Sequence, residues 1–182
     1  MVNKNVLVYG ATGGIGQAIC RELQNQGFNV YLIARSEKKI KQLAKELDLA
    51  PCQAFSINTI TSDQNVKKTQ EWLMHLKVKI SVGIHCAGFG TMKKAAKLSL
   101  SEWKELIDVN LTSAFAFFRV VWGIRVMERC EFVYFGSAST DQSWQKNSLY
   151  GASKAGLEMF AKSLQKEIML ENGRVWFYKP GS

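Results

Sequence analysis

The stretch NVLVYGATGGIGQAI, residues 5–19, joins a short apolar run to a cluster of glycines. Asn5–Tyr9 is rich in β-branched and aromatic residues and ends at a glycine, which predicts a buried strand. A helix is predicted directly afterwards, from about Gly14 to Gln26. A glycine turn between a first strand and a first helix leaves backbone N–H groups open to an anionic ligand, and this placement distinguishes it from an ordinary turn.

Strands and helices alternate along the rest of the chain. Further strands are predicted at Asn29–Ile33, Gln53–Ile57, Ile80–His85, Phe132–Phe135 and Val175–Tyr178. Helices are predicted from the apolar spacing of Ile40, Leu43, Ala44 and Leu47, from the capping spacings Thr61–Gln64 and Ser99–Glu102, and over Val109–Met127 and Leu149–Leu170. We therefore expect one α/β domain over residues 1–182, a doubly wound, Rossmann-like parallel sheet of about six strands with helices on both faces.

Composition excludes several classes of protein. A chain of 182 residues, 47% of them hydrophobic, can bury a core without a metal or disulfides. The four cysteines form no CxxC pair and no Cys/His cluster occurs, so we expect free thiols of a reducing compartment and no metal site. The longest apolar stretch, Ala114–Met127, contains two arginines and is too short to span a bilayer, and no signal peptide is visible. These features predict a cytoplasmic protein without a membrane partner.

The net charge of +9 raises the question of a nucleic-acid partner. The lysines, however, occur as scattered pairs in helical stretches, such as Lys38–Lys39, Lys67–Lys68 and Lys93–Lys94. Such pairs are typical of solvated helix faces, and no basic motif is interleaved with aromatic residues. We expect no nucleic-acid partner, and part of the positive charge is available for an anionic cofactor.

The end of the second strand bears on which dinucleotide would bind. In dinucleotide sites an acidic residue about twenty positions beyond the glycine turn accepts hydrogen bonds from the ribose and selects NAD. Here the corresponding segment is Ala34-Arg35-Ser36, with a guanidinium and no carboxylate. Arginine binds a 2′-phosphate through bidentate charged contacts, so NADP(H) is preferred over NAD(H). The alternative is that Arg35 only ends a surface strand.

Three residues near the fifth strand have a spacing suited to catalysis. Ser137 directly follows that strand, Tyr150 comes thirteen residues later, and Lys154 four residues after that. Residues four apart lie on the same helix face, and parallel sheets bind ligands at the carboxyl ends of their strands, so the three side chains should converge. Each position taken singly has a structural explanation: the serine could cap a turn, the tyrosine could simply begin a helix, and the lysine could be solvated. The joint spacing of the three residues favours catalysis.

These motifs resemble the short-chain dehydrogenase/reductase family over essentially the whole chain. Gly10-xxx-Gly14-x-Gly16 resembles the family's T-G-x-x-x-G-x-G loop, although Gly10-xx-Gly13-xx-Gly16 also fits its extended branch. The Ser137–Tyr150–Lys154 interval matches the short-chain members and not the extended ones. Asn110 matches the family's helical asparagine, and His85–Gly88 matches its N-N-A-G stretch. Asn58 matches the family's residue near the adenine, and Pro180–Gly181 matches its Pro-Gly beside the nicotinamide.

The resemblance implies a role for each matched residue. Tyr150 would be the general acid in carbonyl reduction, Lys154 would bind the nicotinamide ribose and stabilise the phenolate, Ser137 would orient the substrate oxygen, and Asn110 would join a proton relay through water. His85 and Cys86 replace two asparagines that brace the central strands in the family. The implied cofactor-binding residues are Gly10, Thr12, Gly13, Gly14, Ile15, Gly16, Arg35, Asn58, Ala87, Gly88, Tyr150, Lys154, Pro180 and Gly181.

We therefore expect an NADP(H)-dependent oxidoreductase that transfers hydride between nicotinamide and a small carbonyl or alcohol. The alternative is a catalytically weak NADP(H)-binding regulatory protein, because the sequence ends at Ser182, before the substrate-covering segment and seventh strand usual in the family. The family also implies a homodimer or homotetramer through the helices Val109–Met127 and Leu149–Leu170. Core packing against the sheet explains part of the same apolar stripes.

Overall fold

A parallel sheet of six strands forms the centre of the computed structural model, which describes residues 4–142 and 144–180. The strand order is β3-β2-β1-β4-β5-β6, so the chain starts in the middle of the sheet and crosses over between β3 and β4. All five strand pairs are parallel. The strands are β1 (Asn5–Tyr9), β2 (Asn29–Ala34), β3 (Ala54–Ser56), β4 (Val82–His85), β5 (Cys130–Phe135) and β6 (Gly173–Tyr178).

Helices connect the strands. They are α1 (Gly14–Asn25), α2 (Glu37–Glu46), α3 (Asp63–His75), α4 (Leu100–Ile107), α5 (Ser113–Gly123) and α6 (Ser148–Ile168). A π-helical turn, Asp108–Thr112, joins α4 to α5. The observed sheet and its flanking helices confirm the predicted fold class.

Alternating strand residues build a separate core on each face of the sheet. On one face Val6 and Val8 of β1 pack with buried residues of α1 and α2, among them Cys20 and Ile40. On the other face Leu7 packs with buried residues of α3, α5 and α6. Because successive strand side chains point to opposite faces, a strand covered on both sides is apolar on both faces, as β1 is over its buried residues 6–9.

Several predicted element boundaries differ from the observed ones, and three of the differences have a clear structural cause. The cap of α3 is Ser62, whose hydroxyl accepts from the Asn65 N–H, and not Thr61, which bonds to Thr59 instead. Helix α5 ends at Gly123 and not at Met127, because the following residues turn back to the sheet and the Val126 N–H donates to the Ile80 carbonyl. Ile80 itself forms only an isolated bridge, so β4 begins at Val82.

The helical stretch Leu100–Gly123 is longer than the apolar run singled out in the sequence. With 24 residues, and a mean hydropathy of 1.2 over an 18-residue window within it, the stretch is by length and composition alone long and apolar enough to cross a membrane. In the fold, however, Phe117, Val120 and Val121 of α5 are fully buried against the sheet. Its apolar character is therefore explained by its place in the core.

Candidate active site

The glycine turn after β1 is shaped by close backbone contacts. Gly10 has a φ of +81°, and the Gly13 N–H donates to its carbonyl over 3.0 Å. A Cβ at Gly16 would lie 2.3 Å from the same carbonyl oxygen, so only glycine fits there. Gly13 caps α1 without a side-chain hydrogen bond. The first N–H groups of α1 are thus free of a side-chain cap and suited to a phosphate.

A cleft of about 580 Å³ opens above this turn, at the carboxyl ends of the strands. It brings together seven of the predicted cofactor-binding residues: Gly10, Thr12, Gly13, Arg35, Asn58, Ala87 and Gly88. Gly14, Ile15 and Gly16 form the first turn of α1, where Gly16 is buried and Ile15 is exposed. Pro180 is exposed beyond β6, and Gly181 lies outside the described residues.

Two positive side chains lie on the β2 side of the cleft. Arg35 follows β2, and Lys39 lies one turn into α2, whose cap Ser36 accepts from the Lys39 N–H over 3.3 Å. Lys39 was not predicted from the sequence as a residue of the cofactor site. Its position three residues after the helix cap Ser36, close to Arg35, was a signal that could have indicated it. Two carboxylate side chains, Glu105 and Asp108, also line the cleft, and they belong to α4 and to the π-helical turn.

Lys154 is a buried amine at the end of β5. Its side chain leaves α6, and Nζ donates a hydrogen bond of 2.8 Å to the carbonyl of Phe135, the last residue of β5. The same Nζ lies 5.8 Å from the centre of the Tyr150 ring. Burial lowers the pKa of Lys154 to about 8, so the ammonium predominates at neutral pH while remaining close to titration.

Ser137 lies two residues beyond Phe135, at the start of a 3₁₀ turn over Ala138–Thr140. Its Oγ accepts hydrogen bonds from the Ser139 N–H at 3.2 Å and from the Ser139 hydroxyl at 2.8 Å. Both bonds use the oxygen as acceptor, so the Ser137 hydrogen remains available to another oxygen. The serine therefore caps a turn, as considered from the sequence, and keeps a donor.

Asn110 is fully buried within the π-helical turn. Its Oδ1 accepts from the Phe89 N–H at 3.0 Å, while Nδ2 donates to the Phe89 carbonyl and to the Ser153 hydroxyl, each at 2.9 Å. Ser153 immediately precedes Lys154. The side chain thus bridges the segment after β4 and helix α6, a connection that sequence spacing alone did not reveal.

Tyr150 faces a second cleft, of about 480 Å³. Its ring packs against Gly90, where an added Cβ would lie 3.3 Å from a ring carbon. The other residues of this cleft are Thr91, Met92, Trp144, Gln145 and Asn147. Met92 and Trp144 are exposed apolar side chains, so the space beside the phenol has apolar walls.

Cys86 also lines the larger cleft, and burial raises the pKa of its thiol to about 12. It is therefore a neutral thiol and a poor nucleophile at physiological pH. Within residues 4–142 and 144–180, no three His, Cys, Asp or Glu side chains lie close enough to hold a metal ion.

Comparison with known proteins assigns the family. The model of the short chain dehydrogenase family matches residues 4–182. This chain belongs to that family. A 3-oxoacyl-(acyl-carrier-protein) reductase of Aquifex aeolicus is 31% identical over 185 residues, covering 96% of this chain and 72% of that protein. An uncharacterized oxidoreductase of Staphylococcus epidermidis is 25% identical over 179 residues, covering 98% of this chain and 77% of that protein.

Solved structures show the same fold. A metagenomic short-chain oxidoreductase in complex with NADP superposes with a TM-score of 0.87 at 26% identity, covering 99% of this chain and 83% of that one. The serine dehydrogenase of Escherichia coli superposes with a TM-score of 0.88 at 25% identity, covering 97% of this chain and 82% of that one. The family is thus an oxidoreductase family that binds a nicotinamide cofactor.

Proposed function

We propose that this protein is an NADP(H)-dependent oxidoreductase that transfers hydride between the nicotinamide and a small carbonyl or alcohol substrate. The observation that carries the proposal is the placement of the buried Lys154 Nζ, 5.8 Å from the Tyr150 ring and hydrogen-bonded to the end of β5. Tyr150 acts as the general acid in carbonyl reduction and as the base in the reverse direction.

The charge of Lys154 favours the proton transfer. When Tyr150 gives its proton to the substrate oxygen, negative charge develops on the phenol. At a separation of about 6 Å and an effective dielectric of about 20, an ammonium stabilises that charge by about 3 kcal/mol. The carbonyl of Phe135 accepts one of the three ammonium hydrogens and fixes the direction of the side chain.

Ser137 and Asn110 complete the proposed site. The Ser137 hydroxyl, whose hydrogen is not used by Ser139, donates to the substrate oxygen and orients the carbonyl toward Tyr150. Asn110 holds Phe89 and Ser153 in place and belongs to the route by which the proton is replaced after reduction. Each role needs a short, directed hydrogen bond, which rigid neighbouring elements can supply.

The larger cleft fits NADP(H). The uncapped start of α1 suits the pyrophosphate, and Arg35 with Lys39 suits a 2′-phosphate because both cations belong to the segment after β2, whereas the carboxylates that line the cleft belong to α4 and the π-helical turn. A related structure that contains NADP supports this preference. When bound, the cofactor supplies or accepts the hydride, and the protein supplies the proton and the orientation.

The smaller cleft indicates how the substrate is held. Met92 and Trp144 provide apolar surface beside Tyr150, which suits a substrate whose carbonyl carries an apolar group. The protein acts, in this proposal, in the cytoplasm and as a homodimer or homotetramer. Phe115 of α5 and Met159 of α6 are exposed apolar side chains on the two helices through which the subunits are predicted to associate. Their exposure supports association through these helices.

The proposal is tested by titrating the purified protein with NADPH and then assaying turnover on a panel of ketones and aldehydes. Tyr150→Phe is the matched control, because it removes only the phenolic oxygen. Saturable binding with turnover that depends on Tyr150 supports the proposal. Saturable binding without such turnover would favour the alternative of a catalytically weak NADP(H)-binding regulatory protein, and no binding at all would refute both.

A further inference from the structure

His85, at the end of β4, is a polar side chain that is only 1% exposed. The rings of Tyr9, Phe117 and Tyr134 surround it, with centroids 5.4, 5.8 and 5.9 Å from its own. Burial lowers the pKa of its imidazole to about 3, so the ring is neutral at physiological pH. A buried polar group of this kind requires a hydrogen-bond partner, and Nε2 of His85 has one in Ser113 Oγ at 2.7 Å.

The direction of this hydrogen bond follows from the next one. The Ser113 hydroxyl donates to the carbonyl of Val109 over 2.7 Å. A hydroxyl has a single hydrogen, so its oxygen must accept from the imidazole. His85 therefore carries its proton on Nε2, and the hydrogen bonds run from His85 to Ser113 and from Ser113 to Val109.

Val109 belongs to the π-helical turn Asp108–Thr112 and directly precedes Asn110. A π-helical turn pairs backbone groups five residues apart and so interrupts the regular four-residue pairing of the helix. Ser113 lies four residues after Val109, the spacing of a regular helical turn, and its side-chain hydroxyl donates to that carbonyl. The turn is thus tied to β4 through a side chain and does not depend on backbone bonds alone.

We propose that His85 is a positioning residue: through Ser113 it fixes the π-helical turn and thereby sets Asn110 against Phe89 and Ser153. The chain of contacts runs from the central sheet to the residue before Lys154. Its consequence for turnover rests on the proposed function, whereas the placement of Asn110 does not.

Hydrogen exchange of the Phe89 amide tests the placement directly, because that N–H is bonded to Asn110 Oδ1. Ser113→Ala and His85→Leu both remove the link, and each should speed exchange at Phe89 by about tenfold, as expected for loss of one hydrogen bond. His85→Gln keeps a donor nitrogen at similar reach and should exchange near the wild-type rate. The amide of Leu43 in α2, which packs in the core on the opposite face of the sheet from His85, serves as the internal reference.

Unchanged exchange at Phe89 in both link-breaking variants would overturn the proposal, as would equal acceleration at Phe89 and Leu43, which would indicate general destabilisation. If Ser113→Ala fails to fold, the His85→Leu and His85→Gln pair carries the same comparison. None of these outcomes depends on whether the protein turns over a substrate.

A double-mutant cycle tests the consequence for catalysis. Ser113→Ala should lower kcat about tenfold. The Kd for NADPH is measured beside it and should rise less than kcat falls, because Val109 and Phe89 form only part of the lining of the larger cleft. In an Asn110→Ala background the same substitution should have no further effect, because His85 and Ser113 act through Asn110. Additive losses would overturn that route. Absence of turnover in the wild type would instead refute the proposed function and leave the exchange result standing.

Discussion

A side chain added at Gly88 would begin 3.4 Å from Nζ of Lys154. Gly88 and Phe89 line the larger cleft, and the next two residues, Gly90 and Thr91, line the smaller one beside Tyr150. The two clefts therefore share a thin wall formed by the backbone after β4. Reduction of a carbonyl requires the nicotinamide beside the carbonyl carbon and a proton donor beside its oxygen, and in the proposed function the two clefts would hold the cofactor and the substrate in that way.

Lys154 should control the pH dependence of reduction. Its pKa is lowered by burial to about 8, so the ammonium is present below that pH and is lost as the pH rises through it. We expect kcat for carbonyl reduction to be constant below about pH 8 and to fall above it. Lys154→Met should lower kcat by roughly 100-fold at pH 7, the factor that about 3 kcal/mol of charge stabilisation represents.

The control for this prediction is Lys154→Arg, which keeps a positive charge at every accessible pH. Its activity should be reduced, because the planar guanidinium has a different reach, but should show no fall near pH 8. The same fall in the arginine variant would assign the titration to another group.

Arg35 should determine the preference for NADPH. Arg35→Ala removes a cation from the cleft and should raise the Kd for NADPH by roughly 10- to 100-fold, as expected for loss of a charged hydrogen bond. The Kd for NADH should change little, because NADH lacks the 2′-phosphate. Lys39→Ala should have the same sign and a smaller effect. Both constants are measured by titration, and equal losses for NADPH and NADH would contradict the assignment.

Two neighbouring glycines should respond differently to alanine. At Gly16 a Cβ would lie 2.3 Å from the Gly10 carbonyl oxygen, so Gly16→Ala should lower the free energy of unfolding by about 3 kcal/mol. At Gly14 nothing lies within 4 Å of the added atom, so Gly14→Ala should leave stability unchanged or slightly higher. Urea unfolding of both variants gives the comparison, and equal stabilities would contradict the described turn.

Phe115 should contribute to self-association. The ring is 49% exposed on α5 and meets Phe160 of α6 edge to face at 6.3 Å, which places an apolar patch on the outer side of both helices. Phe115→Glu should convert an oligomer to monomer in sedimentation velocity experiments. Met74→Glu, which puts the same charge on exposed α3, is the control. A wild-type monomer, or an unchanged oligomer in Phe115→Glu, would exclude this surface.

The fold could be predicted because its signals are local. An apolar run, a glycine turn and an amphipathic helix follow one another, and the parallel sheet is the arrangement that buries such elements. The convergence of residues at the larger cleft could also be expected, since most of the residues that line it follow the ends of strands. Predicted helix boundaries were wrong where neighbouring polar residues compete to cap the helix. At α3 the cap is the Ser62 hydroxyl and not that of Thr61.

The connections around Asn110 could not be predicted from the sequence. They depend on a π-helical turn and on contacts between residues far apart in the chain, such as His85 with Ser113 and Asn110 with Ser153. Periodicity reports which face of a helix is apolar, but not where a helix departs from regular pairing. The buried environment of Lys154, which sets its pKa, likewise exists only in the folded chain.

Isotope transfer tests the central claim most directly. The protein is mixed with NADPH deuterated at both C4 positions and with an active carbonyl substrate, and the product is analysed by mass spectrometry in a single turnover. We expect deuterium on the former carbonyl carbon, at a rate that Tyr150→Phe lowers by about 10²- to 10⁴-fold with an unchanged Kd for NADPH. Transfer at the wild-type rate by Tyr150→Phe, or a product without deuterium, would contradict it.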